Sequence, residues 1–314
     1  MKRRSFLQLA STALAASRTL PAWSAPAPTD AAVFAKARRY ADLAFGKIAY
    51  VERGKGRCAL FLHGAPLNGF QWRGAIDLLS PYARCIAPDF MGLGYSEPKA
   101  AQALGADAQT AMLVALLDKL DVATVDIIAA DSGGAVAQLF AVRHPQRVRT
   151  MLLTNCDVEP DSPPPAIAPV LAMARAGTLA GSTAQWLTDK ALARATFGAA
   201  VYRDPARFAD ETIDYYLTPL VSSPLRRRQY HEFHNALAPN PLAGIEAALK
   251  RSTVPVRMVW GASDTVFPMA DADYLDRTFA HSRGIRRVPE GKLFFQEEYP
   301  DIIAEEARRL WQAA

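Results

Sequence analysis

Residues 125–145 read VDIIAADSGGAVAQLFAVRHP. The opening six are apolar and β-branched except for Asp126, which is the composition of a strand covered on both faces. From Gly134 to His144 the apolar side chains recur three and four residues apart, as they do along one face of a helix. Between strand and helix stand Asp131, Ser132, Gly133 and Gly134. Two residues without side chains let a helix turn back tightly against the strand that feeds it, and the side chain at the turn is pushed out beyond the strand end. In a parallel sheet that is where ligands bind.

The same rhythm continues on both sides. Strand-like runs recur at CALFLH (58–63), CIAPD (85–89), TMLLTNC (150–156), VRMVWG (256–261) and GIRRVP (284–289), and helical patterns such as AMLVALLDKL (111–120) separate most of them. Alternation of this kind predicts an α/β fold with a mostly parallel central sheet flanked by helices. It stops once. Between Asp157 and about Lys250 there is no convincing strand, only a proline cluster at Pro160 and Pro163 to Pro165 followed by helical segments. The expected organisation is therefore a core of residues 43–157 and 251–314, with a helical cap of residues 158–250 inserted into it. A linker is expected at 25–42, and no internal repeat is apparent.

Of 314 residues, 50% are hydrophobic and 21% charged, which excludes a disordered, collagenous or coiled-coil chain. Four of the five net positive charges are Lys2, Arg3, Arg4 and Arg18, in a stretch without Asp or Glu. The remainder is nearly neutral, so nucleic acid is not an expected partner. Arg3-Arg4, the apolar run to Ala16 and the small-x-small site Ala22-Trp23-Ser24 resemble a twin-arginine export signal over residues 1–24. That run is about half the ~20 residues a membrane span requires, so no stable anchor is expected. The expected location is periplasmic or secreted, with the twin-arginine translocation machinery as a transient partner. Cys58, Cys85 and Cys156 are an odd count, and a bridge between Cys58 and Cys85 is left open by the sequence.

Read in order, His63-Gly64-Ala65-Pro66, Asp89 to Ser96 (DFMGLGYS), Ala130-Asp131-Ser132-Gly133-Gly134 with His144-Pro145-Gln146-Arg147-Val148, and Trp260 to Asp264 (WGASD) resemble the α/β-hydrolase superfamily. Within it the similarity is to haloalkane dehalogenases and epoxide hydrolases, and it covers roughly residues 43–312. The resemblance implies an aspartate nucleophile, and the ten residues from Ala135 to His144 before Pro145 place it at Asp131. It also implies an oxyanion hole from the N–H groups of Ala65 and Ser132, with Asp264 as the acid and Asp157 near an alternative acid position. A carboxylate nucleophile attacks a carbon bearing a halide or epoxide oxygen and forms an ester that water then hydrolyses. The expected partner is a small, mostly apolar substrate, and the reading calls for no cofactor and no metal.

Two features depart from the family. Its histidine belongs in a context like G-x-H-F-x-Q-E-E, and here Gly291 to Glu298 reads GKLFFQEE, with Leu293 in its place. His234 in the insertion is the candidate substitute base. The tryptophan that follows the nucleophile in dehalogenases is Ser132, while Tyr202, Tyr215, Tyr216 and Tyr230 are available in the cap as donors to an epoxide oxygen, with Tyr215 and Tyr216 as the candidates. Arg226, Arg227 and Arg228 are a possible attraction for an anionic substrate. Two other readings stand beside the hydrolase: a catalytically silent member that binds a small ligand, and a serine esterase using Ser132.

Overall fold

The computed structural model describes residues 29–313. The export signal read at 1–24 lies outside them. Among the described residues no helix is long and apolar enough to cross a membrane.

The six strands expected from the sequence form the parallel part of one sheet. They are β3 (Cys58–Leu62), β4 (Arg84–Pro88), β6 (Val125–Asp131), β7 (Val148–Cys156), β8 (Val256–Gly261) and β9 (Ser282–Val288), following β1 (Arg38–Leu43) and β2 (Gly46–Arg53). The order across the sheet is β1-β2-β4-β3-β6-β7-β8-β9, and the short β5 (Glu97–Pro98) pairs with β2. β2 runs antiparallel to both β1 and β4, whereas every neighbouring pair from β4 to β9 is parallel. β3 and β6 are buried at every position, as strands covered by helices on both faces must be.

The linker expected at 25–42 is replaced, over its described part, by a short helix α1 (Ala31–Ala37) and the edge strand β1. β1 reads RRYADL and buries only Ala41, so it lacks the alternation that marks a half-buried strand. Its register comes from β2, which it meets through a two-residue turn at Ala44 and Phe45.

Three core helices position the site: α2 (Arg73–Leu79), α3 (Ala106–Lys119) and α4 (Ser132–Arg143). Ser132 to Ala141 of α4 are all buried. Between β7 and β8 the chain forms helices only, among them α5 (Ala168–Arg175), α6 (Leu179–Thr188), Asp210–Val221 and Pro224–Asn235. These lie over the carboxyl ends of the parallel strands, where they meet the loops that carry the family motifs.

The arginines of the insertion hold it in place. The Arg226 guanidinium donates to the carbonyls of Leu93 at 3.1 Å, Gly94 at 2.8 Å and Ser96 at 2.9 Å, and Arg227 and Arg228 donate to the carbonyls of Val221 and Ala100. Arg226 is thus spent on backbone oxygens, which corrects the view of the triplet as an anion attractor. All three cysteines are free and buried. Cys85 pairs in register with Ala59, so Cys58, one residue earlier, points to the opposite sheet face and no bridge forms.

Candidate active site

β6 ends at Asp131, whose backbone has φ 54° and ψ −135°. A residue with a side chain occupies that region at a cost of about 1–3 kcal/mol, and the surroundings have to enforce it. Here the two glycines that follow do so. A Cβ on Gly133 would stand 2.6 Å from the His63 carbonyl oxygen, and one on Gly134 would stand 2.3 Å from Cys156 Cβ. Only glycine at both places lets α4 start this close to β3 and β7. Gly64 serves the same approach from the other side, since its Cβ would be 2.5 Å from Asp131 Cβ.

The loop 63–66 is fixed by His63. Its Nδ1 donates to the Gly64 carbonyl and its Nε2 accepts from Phe90 N–H, each at 2.9 Å. Burial pushes its pKa down to about 4, so the ring is neutral and positions the loop. Ala65 N–H then reaches Asp131 Oδ1 at 3.0 Å, and Ser132 N–H reaches the same oxygen at 2.5 Å. Among the described residues Oδ2 accepts no hydrogen bond. Burial raises the Asp131 pKa, while the two amides and the nearby Ser132 hydroxyl pull the other way.

Asp131, Ala65, Ser132, Asp157, His234 and Leu293 come together around one cavity of about 260 Å³. The rest of its wall is mainly apolar and includes Val170, Met173, Trp186, Phe197, Val266 and Phe294. Leu293 is buried in that wall, with its loop tied to the cap through a 3.0 Å bond from Phe294 N–H to the Val201 carbonyl. His234 donates from Nδ1 to the Tyr230 carbonyl at 2.9 Å, which leaves Nε2 as an acceptor. Burial pushes its pKa down to about 4, and so it is a weak base.

Three expected site residues are elsewhere. Asp264 does not line the cavity: its Oδ1 accepts from Val266 N–H and its Oδ2 from Asn155 Nδ2 at 2.8 Å and from Phe267 N–H at 3.3 Å. Burial lifts its pKa to about 6 against those bonds. Tyr215 and Tyr216 do not line the cavity either. Tyr215 accepts from Arg38 at 2.6 Å through its hydroxyl and from Asn68 and Tyr95 through its carbonyl, and Tyr216 stands beside the buried Arg73–Glu297 ion pair, to which Tyr202 also donates. The helix Asp210–Val221 turns both toward the core. Tyr230 is the cap tyrosine that lines the cavity, with its hydroxyl 3.2 Å from Thr183 Oγ1.

Other contributors carry little sequence signal. Asn155 lies inside β7 and both accepts from Gly261 N–H and donates to Asp264, tying β7 to β8. Ser162 donates to Asp157 Oδ1 at 2.7 Å from within the proline cluster. Nothing in their spacing announces either contact.

Comparison with known proteins agrees with this geometry. Residues 60–299 match the family model described as the alpha/beta hydrolase fold. Haloalkane dehalogenase 2 of Mycobacterium tuberculosis is 27% identical over 291 residues, covering 85% of this chain and 92% of that protein. An ancestral haloalkane dehalogenase superposes with a TM-score of 0.72 at 26% identity, covering 88% of this chain and all of the other. An epoxide hydrolase solved without ligand shares the fold, with a TM-score of 0.73 at 22% identity over 88% of this chain and 98% of that one. The chain belongs to the alpha/beta hydrolase fold family and is similar, within it, to haloalkane dehalogenases.

Proposed function

We propose that this hydrolase acts on a small apolar electrophile, a haloalkane or an epoxide, through a covalent ester on Asp131. One observation carries the reading: Oδ1 is held by two backbone amides while Oδ2 accepts no bond among the described residues and the carboxyl borders the cavity. Oδ2 attacks the carbon, and the bond to halide or epoxide oxygen breaks with its electron pair leaving on that atom. The negative charge that returns to Oδ1 when water adds to the ester is met by the N–H groups of Ala65 and Ser132.

The apolar wall supports an apolar substrate. Leu293, which can neither accept nor donate a proton, supports slow removal of the ester, because losing a general base costs about 10²–10⁴ in rate. The same residue favours a second reading, a pocket that binds a small ligand without turnover. A serine esterase is disfavoured because, among the described residues, Ser132 Oγ has no histidine as a hydrogen-bond partner to activate it. The arginine pair and cleavage site at the N-terminus support action outside the cytoplasm.

The test is intact-protein mass spectrometry after incubation with 1-iodobutane and with 1,2-epoxyhexane. The expected result is a one-equivalent adduct or released alcohol or diol, abolished in Asp131→Asn. If the unaltered protein gives neither adduct nor product, the ligand-binding reading takes its place. If Asp131→Asn retains the adduct, another residue is the nucleophile.

A further inference from the structure

Beside the main cavity lies a smaller one of about 20 Å³, bordered by α3, α4 and the cap helix Pro224–Asn235. Its lining includes Gln109, Ala135, Ser162 and Phe233, and two residues, Ser132 and Asp157, belong to both cavities. That volume suits about one water, which needs two to four polar partners. The partners are at hand. Among the described residues Ser132 Oγ is buried with no partner in hydrogen-bond geometry, its nearest charged neighbour being the Asp131 carboxyl, and Asp157 has one oxygen engaged by Ser162 and accepts no other side-chain bond. A buried hydroxyl without a partner is rare enough to need a reason.

We propose that Asp157 is the general base for removal of the Asp131 ester, acting on a water held between its carboxylate and Ser132 Oγ. The proposal rests on the Asp131 reading above. Water adds through its oxygen to Asp131 Cγ, and its proton passes to Asp157 while the electron pair of the carbonyl moves onto Oδ1, held by the Ala65 and Ser132 amides. Collapse re-forms the carbonyl and breaks the Cγ–Oδ2 bond. The departing alkoxide takes the proton from Asp157 and leaves as alcohol, and the new Asp131 carboxylic acid loses its proton to solvent. Atoms and charge balance without a co-reactant.

The electrostatics suit this role. Burial pushes the Asp157 pKa up to about 7, with Asp131 and Asp161 adding repulsion and the Ser162 hydroxyl opposing them. The other charged or titratable groups around it are Asp271, on the helix Met269–Thr278, and His234 across the main cavity. A carboxylate poised near neutrality accepts a proton far better than one at its ordinary value. His234, the competing base, is held low by its own burial.

The experiment follows the 1-iodobutane adduct by intact mass after excess reagent is removed. Asp157→Asn is expected to slow ester decay by about 10²–10⁴-fold, so that the adduct persists at one equivalent. In the parent, decay rises with pH through a midpoint at or below about 7, because alkylation removes the Asp131 charge from beside Asp157. Ser162→Ala removes a bond to the charged form and moves that midpoint upward, a readout that survives even if Asp157→Asn does not fold. Decay that is indifferent to Asp157→Asn, or a midpoint unmoved by Ser162→Ala, would overturn the proposal. Absence of both adduct and product in the parent would sink the Asp131 reading, and this inference with it.

Discussion

The two walls of the main cavity were built to different standards. On the elbow side, the backbone of Asp131, three glycines and the His63 loop converge to hold one carboxyl oxygen between two amides. On the opposite side, where the family places its histidine, Leu293, Phe294 and Val266 present hydrocarbon. Asp264 remains behind that wall with both oxygens engaged by Asn155 and the 266–267 amides. In the proposed mechanism the first wall serves bond formation, and the second carries no group that would cleave the ester. Making and breaking the ester should therefore be separable in this protein, and each of the following variants tests that separation.

The largest effect is expected from Leu293→His. In an Asp157→Asn background a histidine there should restore ester decay by about 10²–10⁴-fold, and adding Asp264→Asn should remove most of the gain. Decay rates from time-resolved intact mass decide it, and an unchanged rate would mean that the second wall lost more than one side chain.

Next comes Glu297→Gln. Glu297 and Arg73 form an ion pair in which the carboxylate is only 4% exposed, with Tyr202 donating to the same carboxylate. Removing one charge strands the other, at a cost of about 3–5 kcal/mol in denaturant unfolding. The pair ties the cap and the Leu293 loop to α2, so if the cost is that large, the apolar wall is as firmly fixed as the elbow.

These outcomes bear on what the sequence could reveal. The six parallel strands and the elbow were legible because their signals are local: apolar runs of strand length, and Gly133-Gly134 at a sharp turn after a strand. Asp131 stands at that turn, while the roles of Ala65 and Ser132 and the gap at Leu293 rest on the family resemblance. Asn155 and Ser162 were not legible, because their contacts come from segments that fold back from the insertion or across strands, and Tyr230 stood out only as one of four cap tyrosines. Tyr215 and Tyr216 were misplaced for a related reason. Periodicity identifies the helix they occupy but not which face meets the cavity, and here Arg38 and Arg73 claim that face.

A smaller loss is expected for Gly134→Ala, whose new methyl must displace Cys156. Overpacking of this kind costs about 1–3 kcal/mol, read by denaturant unfolding, with alkylation falling as the elbow shifts. The smallest belongs to Tyr215→Phe, which gives up one hydrogen bond to Arg38, about 0.5–1.5 kcal/mol, and should leave alkylation by 1,2-epoxyhexane unchanged. A marked drop in that rate would return Tyr215 to the cavity and blur the contrast between the walls.

Asp157 is the first residue after β7, and the chain that continues from it becomes the insertion, returning only at β8. The serine that grips its carboxyl lies five residues along that outgoing segment. Asp157 thus sits at the pivot of a lever whose long arm is the entire helical layer. The carboxyl and the serine that holds it therefore bracket the point where the insertion leaves the sheet.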